Sequence, residues 1–267
     1  MSTVDSIISH YRPITLEQMS GIKLMNRTDT KFVTSVAKLC RLLEMASAEY
    51  FAQDIDGERN APYYTVYFDT PRQRMYTMHH NGHLNRQKVR VRSYVSSHLN
   101  FLEVKTKDNH GRTKKKRVDV PGFDPLNPDR SLAFGPQQQQ YGELTQFLAK
   151  KLFVCRPDEL SQQLENRFRR VTLVNSARTE RLTIDTELRF HNLLSGHRHD
   201  LTGLAIIELK RDGLQHSPIL EMLRVLRIKP QGFSKYCMGA AFTGEGLKIN
   251  RFKLRLHIVE RLMADND

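Results

Sequence analysis

Charged and apolar residues alternate over residues 86–107, which form two arms separated by a short polar turn. Successive side chains of a β-strand point to opposite faces, so this alternation predicts a β-hairpin with one charged face and one apolar face. The charged face carries Arg86, Lys88, Arg90 and Arg92 from the first arm and Phe101, Glu103, Lys105 and Lys107 from the second. The apolar face carries Val89, Val91, Leu102, Val104 and Thr106.

The same alternation recurs in other stretches that are rich in β-branched and aromatic residues and are bounded by turn residues. The predicted strands comprise residues 27–33, 63–70, 86–94, 101–107, 113–120, 168–174, 180–190 and 203–211. In an ordinary half-buried sheet the charged face would meet water. So many like charges exclude a dry core, because an unpaired buried charge costs several kcal/mol or more. These faces therefore need water or a ligand.

Helical periodicity and capping residues predict helices between and after the strands. We expect two short helices within residues 4–25, broken at Pro13, and a helix from the N-cap Ser35 to about Ala48. Further helices are predicted at residues 72–80, 141–153, 217–226, 234–242 and 252–264, with a loop at 121–140. The apolar faces of these helices need a partner, which favours a barrel with a charged lumen and helices outside it. A flat sheet with one exposed basic face is the alternative.

Composition indicates a polyanionic partner. The chain has 42 Lys and Arg residues against 29 Asp and Glu residues, a formal net charge of +13, which fits nucleic acid, a phosphate-rich metabolite or anionic lipid. Its three cysteines are far apart and odd in number, which argues against a disulfide framework and favours the reducing cytoplasm. No stretch has the length of a membrane-spanning helix, and residues 1–20 lack the pattern of a signal peptide.

An ordered set of motifs within about residues 25–240 resembles the VTC domain, the polyphosphate polymerase module of the triphosphate tunnel metalloenzyme superfamily. The motifs are Arg27-x-Asp29-x-Lys31-Phe32, Tyr67-Phe68-Asp69-Thr70 with Tyr76 after it, Lys88-Val89-Arg90-Val91-Arg92-x-Tyr94, Phe101-Leu102-Glu103-Val104-Lys105, Arg181-Leu182-Thr183-Ile184-Asp185, Ile207-Glu208-Leu209-Lys210 and Phe233-Ser234-Lys235-Tyr236. The resemblance implies an α+β fold: a closed antiparallel eight-stranded β-tunnel that holds a triphosphate, with helices packed outside and capping the ends. We expect one domain over residues 1–267, with N-terminal helices at 1–25, tunnel strands at 26–211 and C-terminal helices at 212–267.

The resemblance also implies roles for individual residues. Glu208 matches the last-strand glutamate that holds a divalent metal, Mn²⁺ or Mg²⁺, and Glu103 either joins it there or balances the charge of Lys105. The clamps assigned to catalysis are Arg90, Arg92, Lys105, Arg181 and Lys210, and the phosphate contacts are Lys31, Lys88, Lys115, Arg170, Ser234 and Lys235. Asp69 and Asp185 are expected to form salt bridges with the arginines of the lumen.

The chemistry of these motifs favours a polymerase over a hydrolase. Transfer of a phosphoryl group to the end of a polyphosphate chain needs no general base, because the attacking oxygen is already ionised. A hydrolase must activate water, and it typically holds its metal with several carboxylates. Triphosphatases of the superfamily usually have two glutamates at alternate positions of the first strand, where this chain has Arg27, Asp29 and Lys31. We therefore expect ATP and inorganic polyphosphate as substrates.

Two other functions stay open: a tripolyphosphatase or nucleoside triphosphatase of the same fold, and a non-catalytic binder of polyphosphate or nucleic acid. Nucleic acid is disfavoured because residues 88–92 contain no aromatic side chain on which bases could stack. An isolated soluble domain cannot export its product, so we expect a membrane-protein partner, with the basic helix at 252–264 docking there or plugging the tunnel. The histidines at 79–83 and 197–199 are interpreted as solvated turn residues rather than zinc ligands.

Overall fold

The structure, a computed structural model, describes residues 3–20, 27–128, 131–135, 137–213 and 216–264. Its strands belong to one 11-stranded sheet. The strands are β1 (Arg12–Ile14), β2 (Arg27–Ser35), β3 (Tyr50–Gln53), β4 (Asn60–Asp69), β5 (Arg86–Tyr94), β6 (Leu99–Lys107), β7 (Thr113–Asp119), β8 (Ser161–Asn175), β9 (Glu180–Asn192), β10 (Arg198–Leu201) and β11 (Leu204–Asp212). The helices are α1 (Thr3–Ser9), α2 (Leu16–Ser20), α3 (Val36–Ala46), α4 (Arg74–His80), α5 (Gly142–Lys151), α6 (Pro218–Val225), α7 (Lys235–Thr243) and α8 (Lys253–Ala264).

The main path through the sheet runs β2-β11-β9-β8-β4-β5-β6-β7, and every neighbouring pair on it is antiparallel. Off this path, β3 pairs with β8, β1 pairs with β3, and β10 pairs with β9. Within the described residues no hydrogen-bonded ladder joins β2 to β7. The antiparallel α+β fold is therefore confirmed, whereas the closed eight-stranded tunnel is not: the sheet has 11 strands and stays open between β2 and β7.

The sheet curves around the N-terminal end of α7. Lys31 Nζ on β2 donates to the carbonyl of Phe233 at 3.3 Å, and Lys88 Nζ on β5 donates to Ser234 Oγ at 2.7 Å. Lys235 Nζ contacts Asp185 on β9. Because strands from distant parts of the path meet the same three residues, the sheet has a concave face that encloses this point and a convex face on the other side.

The convex face is apolar and is covered by helices, as the alternation predicted. One cluster joins α1, α3 and α6 to β2, β8, β9 and β11, and it buries Leu39, Leu43 and Leu223. A second cluster joins α5 and the loop residues Val120, Phe123, Leu132 and Phe134 to β4, β5 and β6, with Leu148 fully buried. Burial of large aliphatic side chains contributes roughly 1.5–3 kcal/mol each, so these clusters stabilise the sheet from outside.

The concave face is divided into an apolar part and a charged part. In the apolar part α7 and α8 pack against Val33, Leu164, Phe190 and Ile206. A Cβ atom at residue 239 would lie 2.4 Å from Phe190 Cδ1, so glycine at this position lets α7 approach the sheet. The lumen is thus filled at this end, and its charged part begins where α7 begins.

Several elements differ from the sequence prediction. β8 begins at Ser161 rather than Phe168, and its first half is polar yet mostly buried because it pairs with both β4 and β9. The short strands β1, β3 and β10 were not predicted, and β10 contains His199, which was interpreted as a solvated turn residue. The predicted N-cap is confirmed, since Ser35 Oγ accepts the Lys38 amide at 3.3 Å. Residues 21–25 of the predicted N-terminal helices lie outside the described residues.

Candidate active site

A row of three lysines crosses β5, β6 and β7 on the concave face. The strand registers place Lys88 directly opposite Lys105, and Lys105 directly opposite Lys115. Burial, followed by the positive charges of Lys31 and Arg86, lowers the pKa of Lys88 to about 8. Like charges directly opposite one another in a sheet destabilise it. The row therefore fits a face built for an anion.

Glu103 is surrounded by cations next to this row. Its Oε2 accepts from Arg90 Nε at 2.7 Å, and its Oε1 accepts from Lys115 Nζ at 2.8 Å. Although burial opposes ionisation, Arg90 and Arg92 lower the pKa of Glu103 to about 2. Both oxygens of this carboxylate are thus engaged, and the residue is only 1% exposed.

Glu208 and Lys210 on β11 form the second charged group. Glu208 Oε1 lies 3.1 Å from Lys210 Nζ, and its Oε2 lies 3.9 Å from Lys31 Nζ. Burial opposes ionisation here too, yet Lys210 and Lys31 lower the pKa of Glu208 to about 2. Arg181 on β9 lies opposite Lys210 in the register, on the same face. This carboxylate is more open than Glu103, with 21% of its side chain exposed.

Arg170, Asp185 and Lys235 form the third group, where β8 and β9 meet α7. Arg170 binds Asp185 through two hydrogen bonds, Nε to Oδ1 at 2.5 Å and Nη2 to Oδ2 at 2.8 Å. Lys235 Nζ contacts Oδ2 of the same carboxylate. The two cations hold the pKa of Asp185 well below its usual range despite burial, and burial lowers the pKa of Lys235 to about 7.

Aromatic rings support the cations from behind. Arg170 lies over Tyr63 at 4.9 Å from the ring centroid, and Arg92 lies over Phe168 at 5.7 Å. Lys235 Nζ lies 4.5 Å from the centroid of Phe168. Such cation–π contacts contribute about 0.5–2 kcal/mol and fix the cations without neutralising them. Sequence reasoning missed Tyr63 and Phe168 as part of the site, although the alternation along β4 and β8 places both on the concave face.

Asp69 pairs with no arginine among the described residues, so that expectation is wrong. Its Oδ1 accepts the amides of Thr70 and Met75, and its Oδ2 accepts the Tyr76 amide and the Tyr236 hydroxyl. Burial raises the pKa of Asp69. The carboxylate ties the start of α4 to α7, and thereby holds the turn that carries Ser234 and Lys235.

The histidines near α4 differ in exposure: His83 is exposed as expected, whereas His80 is buried. His80 is 4% exposed, and its ring lies edge-on to Phe252, with ring centroids 5.2 Å apart. In the part of the chain that the structure describes, no group of three or more His, Cys, Asp or Glu side chains could hold a metal ion. His80 therefore packs against the C-terminal segment.

The carboxylates of the site differ in their fit to a divalent metal. Mg²⁺ is usually bound by one or two carboxylates together with phosphate oxygens of the substrate. Glu208 fits this pattern, since it is partly exposed and its oxygens face Lys210 and Lys31. Glu103 fits less well, because Arg90 and Lys115 occupy both of its oxygens; this favours a charge-balancing role, although with Arg90 and Lys115 rather than with Lys105.

Raising the pH above about 7 is expected to weaken anion binding, because Lys235 loses its charge there. The measurement is the affinity for tripolyphosphate as a function of pH, compared with the variant Lys235→Arg, whose guanidinium stays protonated. The quantity followed is the wild-type affinity divided by the affinity of the variant, because titration of the ligand affects both proteins equally and cancels. Wild-type affinity relative to the variant should fall by up to about tenfold per pH unit above the pKa of Lys235. A ratio independent of pH would show that Lys235 does not contact the anion.

Comparison with known families identifies one match. The sequence model of the VTC domain matches residues 26–243, a range that contains the described strands from β2 to β11 and all of α7. No curated protein sequence matches the chain.

Several solved structures are similar to the chain at low sequence identity. A Hippeastrum candidate adenylyl cyclase with a dominant triphosphatase activity is 16% identical, with a TM-score of 0.50 over 84% of this chain and 99% of that chain. A candidate adenylate cyclase from Bacillus halodurans is 14% identical, with a TM-score of 0.46 over 85% of this chain and 99% of that chain. A conserved hypothetical protein from Pyrococcus furiosus is 13% identical, with a TM-score of 0.38 over 76% and 91%. The Hippeastrum similarity supports the antiparallel α+β architecture and is limited to it.

Proposed function

The chain belongs to the VTC domain family, and from this we propose that it transfers the γ-phosphoryl group of ATP to a growing inorganic polyphosphate chain on the concave face. One observation carries the proposal: cations from seven strands and α7 converge there around three carboxylates that are all ion-paired. Those carboxylates are Glu103, Asp185 and Glu208. The arrangement supports binding of a compact polyanion, and each of the three carboxylates is held by at least one lysine or arginine.

The transfer needs no proton to move. A terminal phosphate oxygen of the chain, already ionised, attacks the γ-phosphorus, and the bond from that phosphorus to the β–γ bridging oxygen breaks as ADP leaves. Negative charge spreads over the equatorial and leaving oxygens in the transition state, so preorganised cations lower the barrier. Arg90, Arg92, Lys105, Arg181 and Lys210 would stabilise this charge, whereas Lys31, Lys88, Lys115, Arg170, Ser234 and Lys235 would position the phosphates.

A divalent cation belongs to this proposal. Glu208 is the residue that would hold Mn²⁺ or Mg²⁺, and the ion would neutralise charge on the phosphate oxygens bound beside it. Because the pKa of Glu208 is lowered to about 2, its carboxylate is ionised throughout the physiological range and ready to bind a cation.

Hydrolysis of a triphosphate is the alternative on this fold, and it is the activity named for the Hippeastrum protein. A hydrolase needs a base to activate water, and a carboxylate works best as a base when its pKa lies near the working pH. The pKa values of Glu103 and Glu208 lie near 2, so both are poor bases. This difference supports transfer to phosphate over transfer to water.

The setting in the cell is part of the proposal. We infer that the protein works in the cytoplasm and delivers its product to a membrane-protein partner. None of the helices in the described residues is long and apolar enough to cross a membrane. The apolar side of α8 is already packed through Leu256 and Val259, while Lys253, Arg255 and Arg261 are exposed. A partner would therefore meet the basic side of α8.

Incubation of the purified protein with ATP and Mn²⁺ tests the proposed function. We expect ADP and long polyphosphate, resolved on a gel and identified by digestion with an exopolyphosphatase. Orthophosphate in amounts equal to ADP, with no chain product, would assign the site to a hydrolase. Metal-independent binding of polyphosphate without ATP turnover would make the chain a binder.

A further inference from the structure

β7 is exposed on both of its faces. Every residue from Thr113 to Asp119 is exposed except Val118, which is half-buried. Alternation puts Lys115 and Arg117 on the concave face and Lys114 and Lys116 on the convex face. Within the described residues β7 pairs only with β6, so it forms an edge of the sheet that can be reached from both sides.

The convex side of this edge carries positive charge without compensation. Arg112, in the turn between β6 and β7, adds to Lys114 and Lys116, whereas Lys107 lies at the same end of β6 with its side chain on the concave face. The one acidic residue of the turn is Asp108, whose Oδ1 accepts hydrogen bonds from the amides of His110 and Arg112 at 3.0 and 2.9 Å. No described acidic side chain lies within ion-pair distance of Lys114 or Lys116, and both ammonium groups face solvent.

These outer cations continue the row of lysines in the candidate active site. Lys88, Lys105 and Lys115 lead across the concave face to β7, and Lys114 and Lys116 are the immediate chain neighbours of Lys115. At the opposite side of the charged region, α7 and its apolar contacts fill the lumen. A polyanion that extends beyond the site thus meets packed hydrophobic residues in one direction and a basic, exposed edge in the other.

Lysines on an edge strand also have a structural explanation, since they discourage pairing with the edge of another sheet. That explanation does not account for the continuity of the charge with the site. It also predicts no dependence of ligand affinity on these side chains. The two explanations therefore differ in a property that can be measured.

We propose that Lys114 and Lys116, together with Lys107 and Arg112, form an outer track that binds the part of an inorganic polyphosphate chain lying beyond the active site. The identity of this ligand rests on the proposed function. The track itself is a binding surface for a linear polyanion whether or not the protein synthesises one.

Affinity as a function of chain length tests the proposal. The probes are tripolyphosphate, which is short enough to be held by the site alone, and a long polyphosphate chain. Wild-type protein should bind the long chain more tightly and with a steeper dependence on salt, because more cations are neutralised. The double variant Lys114→Glu with Lys116→Glu should lose roughly tenfold or more in affinity for the long chain and keep its affinity for tripolyphosphate.

The matched control is Lys38→Glu with Arg41→Glu on α3, which makes the same change in net charge at two exposed residues elsewhere. An equal loss in this control would overturn the proposal, since it would reflect net charge alone. Unchanged affinity of the β7 variant for the long chain would also overturn the proposal. The lysines would then serve only to prevent pairing with the edge of another sheet. If the β7 variant binds polyphosphate normally but no longer sediments with anionic lipid vesicles, the β7 edge binds a membrane surface and the proposal is rejected.

The experiments distinguish failure of the outer-track proposal from failure of the proposed function. If the protein forms no polyphosphate from ATP but the β7 variant loses long-chain affinity, the track stands and the polymerase proposal is rejected. If long polyphosphate forms and the β7 variant binds it normally, the polymerase stands and the track is rejected.

Discussion

Replacing Glu208 with alanine is expected to lower metal-dependent ATP turnover by roughly 100-fold or more, while the protein stays folded. Stabilisation of transition-state charge by a bound metal is worth several kcal/mol, and each 1.36 kcal/mol corresponds to about a tenfold change in rate. Glu208 is the carboxylate of the site with an open approach, since 21% of its side chain is exposed and its neighbours are Lys210 and Lys31.

The same substitution should raise the affinity for tripolyphosphate in the absence of metal. Removing the carboxylate leaves the charges of Lys31, Lys105 and Lys210 uncompensated, and these lysines then attract the anion more strongly. If Glu208 binds the metal, the substitution should lower turnover and raise the metal-free affinity for tripolyphosphate. If Glu208 is only structural, the substitution should lower both. Asp200→Ala removes a carboxylate that is 57% exposed on the convex side, and it should change neither quantity. Normal turnover by Glu208→Ala would reject the assignment.

Asp185→Asn is expected to destabilise the protein by about 3 kcal/mol or more. The substitution leaves Arg170 and Lys235 without their shared counter-charge, and breaking a buried ion pair from one side typically costs about 3–5 kcal/mol. The side chains concerned are only 15% and 12% exposed. Lys235, whose pKa is lowered to about 7, can release its proton and so limit the loss. Urea denaturation at neutral pH measures the change, with Asp200→Asn as the control.

Tripolyphosphate should restore more stability to Asp185→Asn than it adds to the wild type. The ligand supplies negative charge to Arg170 and Lys235, and a ligand that binds only the folded state stabilises it in proportion to its affinity. The contribution of Asp185 is present above the ordinary carboxyl pKa of 3.8 and is lost only as the pH falls below it, because the folded-state pKa is depressed. Equal stabilisation of variant and wild type would place the phosphate away from this pair.

Strand alternation alone predicted which side chains share the charged face, and the barrel interpretation turned that face inward. Arg90, Arg92 and Lys105 are on the concave face because side chains alternate with a period of two, which is a local property. The pairing of Glu103 depends instead on the register of three strands, which places it between Arg90 on β5 and Arg117 on β7 and within reach of Lys115. No local signal determines such a register.

Tertiary contacts explain the remaining differences. Asp69 binds Tyr236 from a distant part of the chain, so its role follows from the docking of α7 and not from its own strand. The first half of β8 lacks apolar alternation and becomes a strand because β4 and β9 pair with it on both sides. Closure was expected from the family resemblance, but within the described residues the sheet stays open between β2 and β7, and Lys31 on β2 contacts Phe233 just before α7.

The destination of the transferred phosphoryl group tests the central claim most directly. The reaction of ATP with a short polyphosphate primer and Mn²⁺ is run in water enriched in oxygen-18, and the phosphates are analysed by mass spectrometry. Transfer from phosphate to phosphate predicts longer chains and ADP with no solvent oxygen incorporated during turnover. Orthophosphate carrying one solvent oxygen for each ATP consumed would contradict the account and make the protein a hydrolase.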